Sequence, residues 1–106
     1  MPTFADREKE FEARFRHDEE LRFKVTARRN NMLGLWAAGL LGLKGEAAAA
    51  YSKEIVDAQF TPGGDRHVID KLAADLAAVE PSVTPARIRF ELTHFAEQAK
   101  KQLLKE

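Results

Sequence analysis

The chain has 106 residues, of which 44% are hydrophobic and 32% are charged, a size and balance that favour one soluble folded domain. Seventeen basic side chains balance seventeen acidic ones, so a neutral net charge argues against broad electrostatic binding of nucleic acid or anionic lipid. The absence of cysteine excludes disulfides, thiolate metal sites and cysteine nucleophiles.

The charge pattern of the chain predicts its location in the cell. Half of the first thirty residues are charged and no apolar run interrupts them, which predicts a cytoplasmic protein without a secretory signal. The longest uncharged stretch, residues 30–43, ends in only twelve consecutive apolar or glycine residues. A membrane-spanning helix needs roughly 20 apolar residues, so this stretch is predicted to be core and direct membrane insertion is not expected.

The composition favours helices throughout. Alanine and leucine supply 28 residues while valine and isoleucine supply 8, and no segment alternates with the period of a strand. The sequence therefore predicts an all-α protein.

The first segment, about Thr3 to Arg16, places three phenylalanines on one side of a helix. The next apolar stripe, which starts at Leu21, is rotated by about 80° from the first. We therefore expect a break near His17 and Asp18, with Asp18 capping a new helix. The chain is thus divided into an N-terminal segment, residues 1–17, and a helical bundle, residues 18–106.

Such a segment has two interpretations. A short charged helix with aromatic anchors is typical of one that binds a groove on another protein. An amphipathic first helix also commonly packs on its own domain, and a helix this short is marginal in water, so it is a candidate for being mobile until bound. Early proteolysis within the segment would favour a detached helix, and uniform resistance a packed one.

The remaining helices are delimited by glycine and proline. Asp65 is expected to cap a helix that ends near Val79, and Thr84 to cap one that runs from Pro85 to about Leu104. Before them, the segment from Glu46 to about residue 59 is a shorter, alanine-rich helix. The prediction is a four-helix bundle with an N-terminal helical or mobile extension.

Catalytic chemistry finds little support. Glu91 and His94 form one Glu-x-x-His pair, but a di-iron bundle needs two such pairs with further glutamates. His94 is also expected to face solvent. No phosphate-binding glycine loop and no Ser/His/Asp context is present. We expect no catalytic residues, no metal site and no enzyme activity.

The densest basic feature is Arg28-Arg29, with Trp36 two turns further on. Arginine can hold a phosphate and tryptophan can stack on a base, so Arg28, Arg29 and Trp36 form a candidate nucleotide site for ATP or ADP as a regulatory ligand. The alternative is that Trp36 belongs to the core. No required cofactor is expected.

Two runs, TFADREKEFEARF and HDEELRFKVTARRNNMLGLWAA, resemble the zeta subunit of alphaproteobacterial F-type ATP synthases. The similarity extends over essentially the whole chain, although its most specific residues lie in the first forty. The resemblance implies an inhibitor of ATP hydrolysis that is cytoplasmic and peripheral to the inner membrane through the ATP synthase. Its partner would be the catalytic head of that enzyme.

The resemblance also implies a mechanism, in which the N-terminal helix enters a catalytic interface of the head. The residues then expected to bind the partner are Phe4, Arg7, Lys9, Phe11, Arg14, Phe15 and Arg16. Two alternatives remain open: an adenine-nucleotide-sensing helical module, and a structural subunit that stabilises an assembly.

Overall fold

The computed structural model describes residues 3–106, which form five helices and no strand, so the all-α prediction is confirmed for this part of the chain. The helices are α1 (Phe4–His17), α2 (Glu19–Leu40), α3 (Gly45–Ala58), α4 (Asp65–Leu76) and α5 (Pro85–Lys105). Met1 and Pro2, the first two residues of the predicted N-terminal segment, lie outside the described residues. Within residues 3–106, no helix is long and apolar enough to cross a membrane.

The predicted break between the first two helices is confirmed, and it consists of one residue. Asp18 has an extended backbone (φ −106°, ψ 102°). Its N–H donates to the carbonyl of Arg14 at 2.8 Å and so ends α1, while its carboxylate accepts from the N–H of Leu21 at 3.1 Å and caps α2. Asp18 therefore supplies one hydrogen bond at the end of α1 and another at the start of α2.

The main core lies between α2, α3, α4 and α5. Helices α2 and α3 approach closely at Gly34, where an added Cβ would lie 2.7 Å from the Cα of Ser52 on α3. Several aliphatic side chains in this core are completely buried: Leu33, Ile55, Val68, Leu72, Leu76 and Ile88.

A second, smaller cluster holds α1 against α2 and α5. Phe11 is its buried residue from α1, and Phe15 packs at its edge. The sequence predicted a four-helix bundle with a helical or mobile N-terminal extension; in residues 3–106 this extension is the helix α1, and it contacts α2 and α5. We call the surface that α1 covers the α1 trough; it is formed by Leu21, Val25, Ala99, Leu103 and Leu104.

The start of α4 differs from the prediction. Asp65 does not cap the helix but is its first residue, and the N-cap position is taken by Gly64. Gly64 has φ +52°, a left-handed conformation that glycine adopts at little cost, and it turns the chain into the helix. The Asp65 carboxylate is occupied by Arg29 instead. The predicted cap at Thr84 is confirmed, since its hydroxyl accepts from the N–H of Arg87 at 3.2 Å.

Candidate functional site: the first helix and its trough

Helix α1 begins with a reciprocal cap. The Thr3 hydroxyl accepts from the N–H of Asp6 at 3.2 Å, and the Asp6 carboxylate accepts from the N–H of Thr3 at 3.1 Å. Such a capping box satisfies two N–H groups that a helix end otherwise leaves free. The sequence therefore favours a helix that starts sharply at Phe4, even though most of its residues are exposed within the described part of the chain.

The three phenylalanines of α1 have different environments. Phe4 is 53% exposed at the tip of the helix, whereas Phe11 is 7% exposed and inserted into the α1 trough. Phe15 is half-buried at the edge of the trough. In the free chain, two of the three anchors are therefore covered by α2 and α5, which agrees with the interpretation that the first helix packs on its own domain.

Polar contacts accompany this burial, and they converge on Lys100 of α5. Its ammonium lies 3.6 Å from a carboxylate oxygen of Glu12, 3.7 Å from one of Glu97, and 4.3 Å from the centroid of the Phe15 ring. The Lys100 side chain is only 18% exposed, so these contacts are partly shielded from water. Arg7 adds a hydrogen bond from its guanidinium to the carbonyl of Leu104, at 3.2 Å.

The other lysine and arginine residues of α1, Lys9, Arg14 and Arg16, are exposed to solvent. Arg14 lies at the edge of the trough, where it lines a groove with Phe11 and Leu21 and has a long contact of 3.9 Å with Asp18. The structure therefore brings the predicted partner-binding residues onto one helix but not onto one free surface. Lys9, Arg14 and Arg16 are available to a partner together with Phe4, while Phe11 and Phe15 are engaged.

The candidate nucleotide site does not form one cluster. Arg29 is buried, and its guanidinium donates to Asn30 at 2.9 Å, to Gln59 at 2.9 Å and to Asp65 at 2.8 Å. Burial by itself would raise the pKa of the Asp65 carboxyl, but the hydrogen bond and charge of Arg29, with a further hydrogen bond from Gln59, hold that pKa below its usual value. Arg29 thus joins α2 to the end of α3 and the start of α4.

Arg28 and Trp36 point to other neighbours. Arg28 pairs with Glu106 at 2.6 Å, and Trp36 packs against the main core. Trp36 is eight residues further along α2, which corresponds to about 12 Å of helix. An aromatic ring closer to Arg28 is that of Phe23, which stacks on Phe60 with centroids 5.2 Å apart and lines the same open groove as Arg28.

Two site residues were not found from the sequence. Lys100 and Glu12 carry no motif, and their roles depend on a contact between residues 88 positions apart in the chain. A weak signal existed, because Lys100 follows the buried Ala99 on the apolar stripe of α5. Nothing in the spacing of α1 indicated which helix would face it.

The Glu91 and His94 pair does not build a metal site. Glu91 is buried and accepts from Arg87 at 3.0 Å, while the Nδ1 atom of His94 lies 3.4 Å from the second carboxylate oxygen. His94 itself is exposed, as expected. Residues 3–106 contain no group of three or more candidate ligands that could hold a metal ion.

Comparisons with known proteins identify the family. The model of the family described as ATPase inhibitor subunit zeta matches residues 1–102, which is nearly the whole chain. No curated protein and no solved structure gives a significant match. The resemblance seen in the N-terminal residues is thereby confirmed, and the chain belongs to the ATPase inhibitor subunit zeta family.

Proposed function

We propose that this chain is a regulatory inhibitor of the F-type ATP synthase and that it acts without catalysing a reaction itself. The observation that carries the proposal is the family match, which includes all of α1 and, of the trough beneath it, Leu21, Val25 and Ala99. The inhibitor would lie in the cytoplasm, peripheral to the inner membrane through its binding to the catalytic head of the synthase.

We assign the inhibitory contact to α1. This helix has a sharp capped start, an exposed aromatic ring at its tip in Phe4, and three exposed basic side chains in Lys9, Arg14 and Arg16. Aromatic and arginine side chains are the types that dominate the binding energy of protein interfaces. Phe11 and Phe15 complete the apolar face once they leave the α1 trough.

The mechanism is a preference for one state of the partner. Catalytic interfaces of a rotary ATPase open and close during turnover, and a ligand shifts such an equilibrium only by its difference in affinity between states. A helix that fits one interface conformation would stop hydrolysis by stabilising that conformation. Basic side chains along α1 would fix its register against acidic groups of the groove walls.

A truncation tests the assignment. ATP hydrolysis by the isolated catalytic head is measured with the full chain and with a chain that lacks residues 1–16. We expect full inhibition by the first and none by the second, because the truncated chain retains the main core but has lost every proposed anchor. Circular dichroism checks that the truncated chain keeps its helical fold, and retained inhibition by this folded protein would refute the assignment.

We further propose that the groove beside Arg28 is an adenine-nucleotide site with ATP or ADP as a regulatory ligand. It combines the exposed Phe23 ring with the cations Lys24 and Arg28, which suits stacking on a base and pairing with phosphates. A phosphate bound by Arg28 would replace the Glu106 carboxylate, which pairs with Arg28 at 2.6 Å in the same groove. The groove is open to solvent and has a volume of about 580 Å³. NMR titration with ATP should shift resonances around Phe23, and Arg28→Ala should weaken this binding, whereas shifts confined to Trp36 would refute the site.

A further inference from the structure

The covered face of α1 is also the face that its proposed target needs. Phe11 has the smallest exposure of any residue on α1, and the ring of Phe15 is held beneath the Lys100 ammonium. A side chain cannot fill two apolar surfaces at once. Binding of these two rings to a groove on the ATPase head therefore requires α1 to leave the trough.

We propose that the α1 trough is an internal docking site that competes with the ATPase head for Phe11 and Phe15, and that Lys100 is its charged latch. This inference rests on the proposed function. The docked chain is the inactive form of the inhibitor, and release of α1 is the step that activates it.

The small number of contacts between α1 and the rest of the chain supports a reversible latch. Phe11 is the one buried residue of α1, so the apolar contribution to docking is that of a single ring with partial help from Phe15. Lys100 adds its ion pair with Glu12 and its position over Phe15, both of which break when α1 departs. The contact is therefore small enough to be exchanged for a larger one on a partner.

The junction at Asp18 gives this helix a point of rotation. One extended residue separates α1 from α2, and α2 keeps its own cap from the Asp18 carboxylate whatever direction α1 takes. Loss of the α1 contacts consequently leaves the main core, with its separate set of buried residues, intact. An opening confined to one helix is a change that a small domain can sustain locally.

The latch also defines what the competing groove should resemble. The trough presents an apolar floor of leucine, valine and alanine. At its edge, the half-buried Lys100 ammonium contacts Glu12 and Phe15, and a backbone carbonyl accepts a hydrogen bond from Arg7. A partner groove that displaces it is expected to offer the same chemistry over a larger area. The apparent dissociation constant of the inhibitor for the ATPase head then equals the intrinsic constant divided by the fraction of molecules in which α1 is released.

The first arm of the test measures docking in the free full-length chain. Backbone amide hydrogen exchange is followed in α1 for the natural protein, for Lys100→Glu and for Lys100→Gln. The acidic side chain faces Glu12 and Glu97, so we expect at least five-fold faster exchange in α1 and unchanged exchange in α3 and α4. Arg89→Glu is the matched control, with the same charge change on an exposed α5 residue that lines a groove with α4.

The second arm measures inhibition of the catalytic head. Lys100→Glu should lower the half-maximal inhibitory concentration at least three-fold, and Arg89→Glu should leave it unchanged. Because the natural chain has no cysteine, Glu12→Cys combined with Lys100→Cys can be joined selectively by a short bismaleimide. The cross-linked protein is expected to inhibit at least ten-fold more weakly than the same protein before cross-linking.

The outcomes separate the latch from the function on which it rests. Equal exchange in α1 for the natural chain and both Lys100 variants overturns the latch, and undiminished inhibition by the cross-linked protein overturns the competition. If the natural chain and every variant leave hydrolysis unchanged, the proposed function itself fails. The exchange data would then still report whether Lys100 holds α1 in the trough.

Discussion

Arg28 and Arg29 are adjacent in the chain, yet the structure predicts that they differ sharply in their effect on stability. We consider the matched variants Arg28→Met and Arg29→Met, which remove the charge but keep an apolar stem of similar length. The Arg29 side chain is 9% exposed and donates three hydrogen bonds, whereas that of Arg28 is 32% exposed and pairs with a Glu106 side chain that is 57% exposed.

The cost of each change follows from this exposure. Removing one partner of a fully buried ion pair costs about 3–5 kcal/mol. The Asp65 side chain is 53% exposed, so water replaces part of what Arg29 supplies, and we expect about 2–3 kcal/mol for Arg29→Met. The surface pair of Arg28 contributes about 0–1 kcal/mol. A difference near 2 kcal/mol corresponds to a Tm lower by about 8–16 °C in a domain of this size.

The assay is thermal and urea unfolding at pH 7, followed by circular dichroism. Arg29→Met should lower the urea midpoint with little change in the slope of the transition, because the folded core is retained. Equal Tm values for the two variants would refute the reasoning. That result would mean that Arg29 has no larger structural role than its neighbour.

Three further predictions concern packing, capping and pH. Gly34→Ala should destabilise the fold by about 1–3 kcal/mol, because the new methyl group meets the backbone of α3. Gly39→Ala should stabilise it by about 0.5–1 kcal/mol, because no atom lies within 4 Å of the added methyl group. Urea unfolding measures both changes. Asp18→Ala should cost about 1 kcal/mol through loss of the α2 cap, with Asp18→Asn close to the natural protein in the same measurement. The pKa of Asp65 is lowered in the folded chain, so its contribution to stability is complete above its ordinary pKa of 3.8 and is lost as the pH falls through the lower folded value. Unfolding measured between pH 5 and pH 2 should therefore show a smaller decline for Asp65→Asn than for the natural chain, and identical declines would contradict the assignment.

The break between α1 and α2 could be predicted because it depends on local sequence alone. The phase of an apolar stripe is fixed by residue spacing, and a 14-residue helix followed by a rotated stripe requires a change of direction. Asp18 supplied the chemistry of the cap at the same position. The boundaries of α3 and α5 were predicted to within one or two residues for the same reason, since glycine, proline and threonine mark them.

The two arginines could not be told apart in this way. Their side chains differ by one helical step, and which of them is buried depends on where the end of α3 and the start of α4 lie in space. Asp65 was misassigned for a related reason. A carboxylate at a helix start is a plausible cap by sequence, but a buried arginine across the bundle binds it here instead.

The surface that covers the aromatic face of α1 also could not be predicted from the sequence. Spacing indicates that Phe11 and Phe15 share a face, but it does not indicate whether a partner or the chain itself covers that face. The trough that covers it is built from residues near 21–25 and 99–104, so the contact is non-local. Only the exposed Phe4 is free in the way that the groove-binding interpretation expected.

Because one residue, Asp18, connects the first two helices, the number of residues at this point matters more to the fold than which residues they are. Each residue in a helix turns the following side chains by about 100° and advances them by about 1.5 Å. An insertion after residue 17 would rotate the phenylalanine face away from the leucines beneath it without altering any side chain on either helix. Substitutions along the outer side of the first helix are therefore expected to be tolerated by the fold, whereas a change of even one residue in the spacing would misdirect the whole helix.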